Sequence, residues 1–187
     1  MIYSAATPIL SVNIKDDVDI AELEKFCLKT EQEDKGINLS NKGGYHSKNV
    51  VIGEEKEKII GDLLDAITKA IMDYCGKLEI ALPKEIKQMW VNVGRYKDSH
   101  ILHNHAPFYL SGVVYAHTED SIDFGKLVFC PANEVAMKDW SDQGGSVREY
   151  IKPESGQLII FPSWASHFVE PNMDIDKNRI SLSFNIQ

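Results

Sequence analysis

The chain has 187 residues, of which 43% are hydrophobic and 26% charged, and this balance is typical of a globular protein with a buried core. Its formal net charge is −8 and no stretch is rich in lysine and arginine, so duplex nucleic acid is not an expected partner. The sequence also lacks both the roughly 18 consecutive apolar residues of a membrane span and the layout of a signal peptide, so we expect no membrane partner and a cytoplasmic location.

The N-terminal part of the chain combines one strand, one helix and one loop. Residues 7–14 predict an opening strand, in which Pro8 suits an edge position. Asp16 or Asp17 is placed to cap an amphipathic helix, because apolar residues recur at helical spacing after them. Residues 35–49 are rich in glycine, serine and asparagine, which predicts a loop.

The clearest helix follows this loop. From Ile60 to Tyr74 apolar residues repeat at offsets of three and four, and charged residues fill the other face. Gly76 is expected to end the helix. The apolar stripe predicts that this helix packs on a sheet.

After Pro83 the sequence breaks into short β-type runs separated by turn residues. The predicted strands are 88–96, 111–117, 126–130, 156–161 and 179–186. The pattern predicts an α+β protein that is mainly β, with a β-sandwich or small barrel backed by the helices. We expect a single domain over residues 1–187, with helical elements mainly in 16–76 and the β core at about 86–187.

Three of the six histidines form an arrangement that favours a metal site. His103 and His105 are separated by one residue, so on an extended chain their side chains point to the same side. His167 follows a predicted strand and a Pro-Ser turn, from which it could reach the same point. The alternative explanation is that the H-x-H pair consists of two exposed histidines at a strand edge.

Arg179 and Ser181 lie downstream of His167 on one predicted strand and share one of its faces. A guanidinium group binds a carboxylate through two parallel hydrogen bonds, and the serine hydroxyl can add a third. The alternative role of Arg179 is an ion pair on the surface.

The order of H-x-H, a distal histidine and R-x-S resembles the pattern of the Fe(II)/2-oxoglutarate oxygenases. More specifically, the chain is similar to a group of uncharacterised bacterial and phage proteins identified as members of that family. The segments that carry the resemblance are 40–47, 90–92, 103–107, 110–115, 156–163, 167–171 and 179–185.

The resemblance implies a double-stranded β-helix, also called a jelly-roll, with the N-terminal helices packed on the major sheet. It implies Fe(II) as the metal, 2-oxoglutarate and O₂ as cosubstrates, and hydroxylation as the expected activity of this chain. His103 and His167 match the two histidines of the family's iron triad. Most of the family has a carboxylate where this chain has His105, so His105 is either a third iron ligand or a neighbour of the site.

The resemblance also implies the cosubstrate pocket. Arg179 with Ser181 matches the pair that binds the distal carboxylate of 2-oxoglutarate. Tyr115 could add a hydroxyl group to this pocket, and Asn92 could orient the cosubstrate or substrate. Both of these residues could instead be structural.

The resemblance leaves the substrate open between a small metabolite, a protein side chain and a nucleobase, and it is compatible with a homodimer. Residues 132–148 are long and glycine-rich enough to form a lid, or to be a solvated connection. Two rival functions stay open. One is a cupin-like three-histidine metalloprotein that does not use 2-oxoglutarate, and the other is a non-enzymatic jelly-roll interaction module.

Overall fold

The computed structural model describes residues 7–50, 52, 57–118, 125–130 and 148–187. The expected lid, residues 132–148, lies outside the described residues except for its last residue. The described helices are α1 (Ile20–Glu33) and α2 (Lys58–Leu78). The described strands are β1 (Leu10–Asn13), β2 (Asn41–Lys42), β3 (Tyr45–His46), β4 (Ile86–Gly94), β5 (Ser99–His103), β6 (Leu110–His117), β7 (Leu127–Phe129), β8 (Glu149–Ile151), β9 (Gln157–Pro162), β10 (His167–Val169) and β11 (Arg179–Ile186).

The strands form two antiparallel sheets. The larger sheet has the order β1-β9-β6-β11-β4-β3, and the smaller has the order β2-β5-β10-β7-β8. Apart from β3 with β4 and β7 with β8, the described strands that lie side by side are not consecutive in the chain, as in a double-stranded β-helix. The predicted fold class, α+β and mainly β with a jelly-roll, is confirmed. As expected from Pro8, the opening strand β1 lies at an edge of the larger sheet.

Alternation along the strands of the larger sheet separates an apolar face from the face that meets the smaller sheet. In β11 the residues Ile180, Leu182, Phe184 and Ile186 join the core that contains the helices. The intervening residues of β11 are polar, and Arg179, Ser181 and Asn185 are all buried. Since side chains on a strand point alternately to opposite faces, one strand both anchors the helices and lines the interior between the sheets.

The two helices cover the outer face of the larger sheet. Buried residues of α2, including Leu63 and Ile67, pack with Leu23 and Cys27 of α1 and with the apolar face of the sheet. The predicted packing of the helices on the major sheet is therefore confirmed. Neither described helix has the combination of length and apolar character that a bilayer crossing requires.

Both predicted helix ends differ from the structure. The N-cap of α1 is Asp19, whose carboxylate accepts a hydrogen bond from the Glu22 backbone N–H at 3.1 Å, so the prediction of Asp16 or Asp17 is wrong. Helix α2 runs past Gly76 to Leu78, and its C-cap is Glu79, which adopts the left-handed conformation with φ 54°. Glu79 closes the helix because its backbone N–H bonds carbonyls of the last turn.

Short strands account for the other differences. The region 35–49, predicted as a loop, contains β2 and β3, which pair with β5 and β4 respectively. Strands β5, β8 and β10 were not expected, because three to five residues are too few to show a period. Two of these short strands, β5 and β10, carry histidines of the candidate site.

Candidate metal and cosubstrate site

Pairing between β5 and β10 brings two of the predicted histidines together. His167 is directly opposite His103 in this antiparallel pair, and its other neighbour in the sheet is Phe129. His105 follows the end of β5 by two residues, and its backbone N–H donates to the Ser163 carbonyl at 2.8 Å. The extended chain assumed for H-x-H therefore ends at His103, and a hydrogen bond to the loop after β9 holds His105.

The three imidazoles converge. Their possible ligand nitrogens all lie within 4.8 Å of one another, and His105 Nε2 is 3.3 Å from His167 Nε2. The ring centroids of His103 and His167 are 4.4 Å apart. Histidine, cysteine, aspartate and glutamate are the side chains that commonly bind metals. In the described part of the chain, these three histidines are the group of such side chains that is spaced to hold one metal ion.

Backbone carbonyls select the tautomer of two of the rings. His103 Nδ1–H donates to the Ile101 carbonyl at 2.7 Å, and His167 Nδ1–H donates to the Ala165 carbonyl at 2.8 Å. Since a neutral imidazole carries one proton, both Nε2 atoms are then free to donate a lone pair. Such carbonyl contacts are the usual means by which proteins orient metal-binding histidines.

Burial keeps the three imidazoles neutral near pH 7. Loss of hydration lowers the pKa of His103, and lowers the pKa of His105 to about 3 and of His167 to about 4. The neighbouring imidazoles add to this effect, because a second positive charge in the cluster would be repelled. Neutral imidazole is the form that binds metal.

These shifted pKa values predict a pH dependence of stability for the metal-free protein. The ordinary histidine pKa is 6.5, so between pH 6.5 and about 4 the unfolded chain binds more protons than the folded chain. The neutral histidines therefore contribute their full stabilisation above pH 6.5. The free energy of unfolding is expected to decrease as the pH falls through this window. Urea unfolding in the presence of a chelator at several pH values measures it. In His105→Asn the free energy of unfolding should depend less steeply on pH. An unchanged slope would contradict the lowered pKa of His105.

Arg179 lies deep in the same cavity. It is 3% exposed, and its Nη1 donates to the Gly125 carbonyl at 3.1 Å. None of the described residues that line the cavity is acidic. The Asp98 carboxylate attracts the guanidinium from outside this lining. Burial lowers its pKa. A buried cation in a cavity without acidic groups provides a binding site for an anion.

The other predicted cosubstrate residues surround Arg179. Ser181 of β11 pairs with Asn92 of β4 on one side and with Tyr115 of β6 on the other, and all three line the cavity. Burial raises the pKa of Tyr115 to about 12, so its hydroxyl remains protonated and able to donate. Asn92 Nδ2 donates to the Ser183 hydroxyl at 3.1 Å, whereas its buried Oδ1 has no partner among the described residues.

Two glycines form the slot that holds the guanidinium. A Cβ on Gly125 would overlap Arg179 Nη1 and lie 2.5 Å from the Glu170 carbonyl, and a Cβ on Gly94 would lie 3.1 Å from Nη2. We expect Gly125→Ala to lower the free energy of unfolding by roughly 1–3 kcal/mol, because the backbone at Glu170 cannot yield cheaply. Urea unfolding measures the change.

The matched control is Gly76→Ala in α2. A Cβ at Gly76 would have no atom within 4 Å, and this position is helical. The substitution is expected to raise the free energy of unfolding by about 0.5–1 kcal/mol, because glycine loses more backbone entropy on folding than alanine. Equal effects of the two substitutions would contradict the close packing around Arg179.

A second, open cavity of about 670 Å³ adjoins the first, and Ser40, Trp90, His103 and His105 line both. Trp90 stacks on His46, with ring centroids 5.5 Å apart. It also stacks on His105, with ring centroids 5.7 Å apart. We call this open cavity the outer groove. Sequence reasoning assigned no role to Trp90 or His46, although both lie in segments that carried the family resemblance.

A match to a protein family shows to which family the chain belongs. Residues 88–185, which contain all the predicted site residues, match the family described as "Putative 2OG-Fe(II) oxygenase". The chain belongs to the 2OG-Fe(II) oxygenase family. It is therefore a 2-oxoglutarate-dependent dioxygenase that uses Fe(II). No curated protein matches the sequence.

Solved structures confirm the oxygenase fold. A prolyl-4-hydroxylase of Pseudomonas putida is 15% identical, with a TM-score of 0.73 over 97% of this chain and 93% of that chain. A prolyl hydroxylase of Trichoplax adhaerens, in complex with a hypoxia inducible factor peptide fragment, is 16% identical with a TM-score of 0.70 over 97% and 84%. HygX of Streptomyces hygroscopicus, with nickel and 2-oxoglutarate bound, is 10% identical with a TM-score of 0.66 over 96% and 82%.

Proposed function

We propose that this oxygenase is a hydroxylase in which His103, His105 and His167 hold Fe(II), and Arg179 with Ser181 binds the distal carboxylate of 2-oxoglutarate. The observation that carries the proposal is the placement of a three-imidazole cluster and a buried arginine in one cavity. Iron bound there would supply the activation of O₂ that the decarboxylation of 2-oxoglutarate and the oxidation of a C–H bond require.

The donor set fits a divalent transition metal. Metal–imidazole bonds of about 2.0–2.1 Å put two neighbouring ligand nitrogens roughly 3.0–3.4 Å apart, and His105 Nε2 is 3.3 Å from His167 Nε2. Nitrogen ligands suit iron, nickel and zinc. The carbonyl contacts of His103 and His167 leave their Nε2 atoms available to the metal.

The cavity also fits a dicarboxylate. The Arg179 guanidinium and the Ser181 hydroxyl are donors at its inner end, and the protonated Tyr115 hydroxyl is a further donor. A rotation of the Asn92 amide by 180° would let Oδ1 accept from the Ser183 hydroxyl and direct Nδ2 into the cavity. That orientation gives the buried amide a partner on both sides when an anion is bound.

The substrate is proposed to bind in the outer groove. Its exposed rim is apolar, with Leu39 at 67% and Ile101 at 47% exposure, and Trp90 forms part of its wall. Lys48 is the charged residue among its described lining, and it pairs with Asp34 at 3.6 Å. A groove of this kind favours an uncharged, partly apolar substrate, either a small molecule or a protein segment.

Hydroxylation is favoured over other oxidations by two of the similar structures, which are prolyl hydroxylases. The test of the proposal is release of succinate from 2-oxoglutarate with Fe(II) and ascorbate, with and without candidate substrates. Turnover should depend on both Fe(II) and 2-oxoglutarate, and substrate should gain one oxygen atom in the mass spectrum. Metal binding without consumption of 2-oxoglutarate would instead favour the three-histidine metalloprotein.

Replacing His105 by aspartate tests whether it is a metal ligand. His105→Asp is expected to keep or improve Fe(II) binding, because it restores the carboxylate that most of the family has at this position. It should also weaken capture of nickel relative to Fe(II), since an oxygen ligand replaces a nitrogen ligand. Metal content after reconstitution with each ion measures both effects. His105→Ala is the comparison, and equal metal affinity in both variants would place His105 outside the ligand set.

A further inference from the structure

The loop after β9 contacts two of the three histidines of the candidate metal site. The Ser163 carbonyl accepts a hydrogen bond from the His105 backbone N–H at 2.8 Å. Two residues later, the Ala165 carbonyl accepts from His167 Nδ1–H, also at 2.8 Å. Since one short loop supplies both carbonyls, its position affects the distance between His105 Nε2 and His167 Nε2, which is 3.3 Å.

His105 depends on this loop more than the other two histidines do. His103 and His167 lie opposite each other in paired strands, so the smaller sheet fixes their separation. His105 lies beyond the end of β5, and its carbonyl bonds within its own turn, to the Phe108 backbone N–H at 3.1 Å. Among the described residues, the hydrogen bond to Ser163 is therefore the one that ties the His105 backbone to the sheets.

The Ser163 side chain attaches the loop to the larger sheet. Its hydroxyl is 2.6 Å from the Ser111 hydroxyl, and both serines are buried. Trp164 is exposed and Ala165 has only a methyl group, so the polar side-chain contact of the loop comes from Ser163. The loop backbone is also held, because the Ser163 N–H donates to the Tyr109 carbonyl at 3.2 Å. Loss of the hydroxyl should therefore shift the loop without unfolding it.

The hydrogen bonds continue from Ser111 across the larger sheet in one direction. The Ser111 hydroxyl donates to Asn185 Oδ1 at 2.8 Å, and Asn185 Nδ2 donates to Gln88 Oε1 at 2.9 Å. A hydroxyl has one hydrogen, so Ser111 accepts from Ser163, whose hydroxyl is then the donor. We call these four side chains the polar row.

The larger sheet holds the polar row in place. Asn185 of β11 lies directly opposite Gln88 of β4 on one side and Ser111 of β6 on the other. Ser163, Ser111 and Asn185 are buried, so a group that lost its partner there would have no water to replace it, which is costly. The polar row therefore resists displacement of Ser163.

We propose that Ser163 is a positioning residue for the metal site, and that its hydroxyl, held by Ser111 and Asn185, fixes the loop that orients His105 and His167. This inference rests on the proposed function, because it requires that the two histidines bind one metal ion. Ser163 is not among the described residues that line either cavity. It therefore acts through the two histidines and not on the cosubstrate or the substrate.

The test is Co(II) binding, measured by competition with a chelator and by the d–d absorption of the bound ion, and it needs no turnover. Ser163→Ala is expected to weaken Co(II) binding roughly ten- to a hundredfold, the usual effect of disturbing groups that orient metal ligands. The absorption band should shift, because the imidazoles would surround the ion differently. Ser111→Ala leaves the Ser163 hydroxyl without its partner, and should weaken binding about three- to tenfold and shift the same band.

Two further variants separate positioning from general stability. Tyr74→Phe removes a hydroxyl that donates to the Pro8 carbonyl at 3.0 Å, on the helix-covered face of the larger sheet. It should lower thermal stability and leave the Co(II) affinity and spectrum as in the wild type. The double variant Ser111→Ala/Ser163→Ala should bind Co(II) no more weakly than Ser163→Ala, since both hydroxyls act along one row.

The outcomes distinguish the possible failures. If wild-type protein does not bind Co(II), the proposed function fails. If wild type binds it, and Ser163→Ala and Ser111→Ala match its affinity and spectrum, only the positioning role fails. An equal loss of affinity in Tyr74→Phe would overturn the proposal, as would additive losses in the double variant. If Ser163→Ala does not fold, Ser111→Ala decides, and a wild-type affinity and spectrum there overturn the role of Ser163.

Discussion

Replacement of His167 by alanine is expected to abolish Fe(II) binding and, with it, consumption of 2-oxoglutarate. His167 is 4% exposed, lies opposite His103 in the sheet and has its Nδ1 fixed by the Ala165 carbonyl. Disturbing the partners of a metal ligand already costs about 10- to 100-fold in affinity, so loss of a ligand should cost at least that much. Iron content after anaerobic reconstitution, followed by competition with a chelator, measures the effect.

Folding must be separated from metal binding in this experiment, because alanine at a buried position also leaves a cavity. His167→Gln keeps most of the volume and is expected to lose iron as His167→Ala does. Metal-free thermal unfolding shows whether each variant folds. His117→Ala removes a histidine outside the cavity and should bind iron like the wild type. Unchanged metal affinity in both His167 variants, with folding intact, would remove His167 from the site.

Replacement of Arg179 is expected to have the second large effect, this time on the cosubstrate. Arg179→Ala should raise the KM for 2-oxoglutarate about 100-fold or more, because the two proposed hydrogen bonds between charged groups would be lost at a buried position. Arg179→Lys should recover only part of the loss, since an ammonium group cannot form the paired hydrogen bonds of a guanidinium. Metal affinity should remain unchanged. Initial rates over a range of 2-oxoglutarate concentrations measure these effects.

The same substitution distinguishes the rival functions. A cupin-like metalloprotein that does not use 2-oxoglutarate would keep its activity in Arg179→Ala.

The stability of Arg179 variants gives an independent check. Without cosubstrate, Arg179 is a buried cation in a cavity whose described lining has no acidic residue. Arg179→Met, which preserves much of the volume, should therefore be at least as stable as the wild type without ligand. A large loss of stability would point to a structural role instead.

Local periodicity was sufficient to predict the parts of the fold whose pattern repeats over many residues. The stripe of α2 indicated a helix packed on a sheet, and the alternation within 179–186 predicted a strand of those limits. That alternation also placed Arg179 and Ser181 on one face, where the structure has them. Helix ends were less well predicted, because Asp16, Asp17 and Asp19 all suit an N-cap and tertiary packing selects among them.

The sequence by itself determined the fold class, the strand that carries Arg179 and Ser181, and the family to which the chain belongs. Only the tertiary structure decided how the cavity is assembled, because pairing between β5 and β10 joins positions more than 60 residues apart. The register of this pair shifts between His167 and Val169. His100 and His103 therefore both line the cavity although they are three residues apart, a spacing that strict alternation assigns to opposite faces. Likewise, the slot for Arg179 depends on Gly94 and Gly125, whose closeness to the guanidinium results from long-range packing and leaves no local pattern.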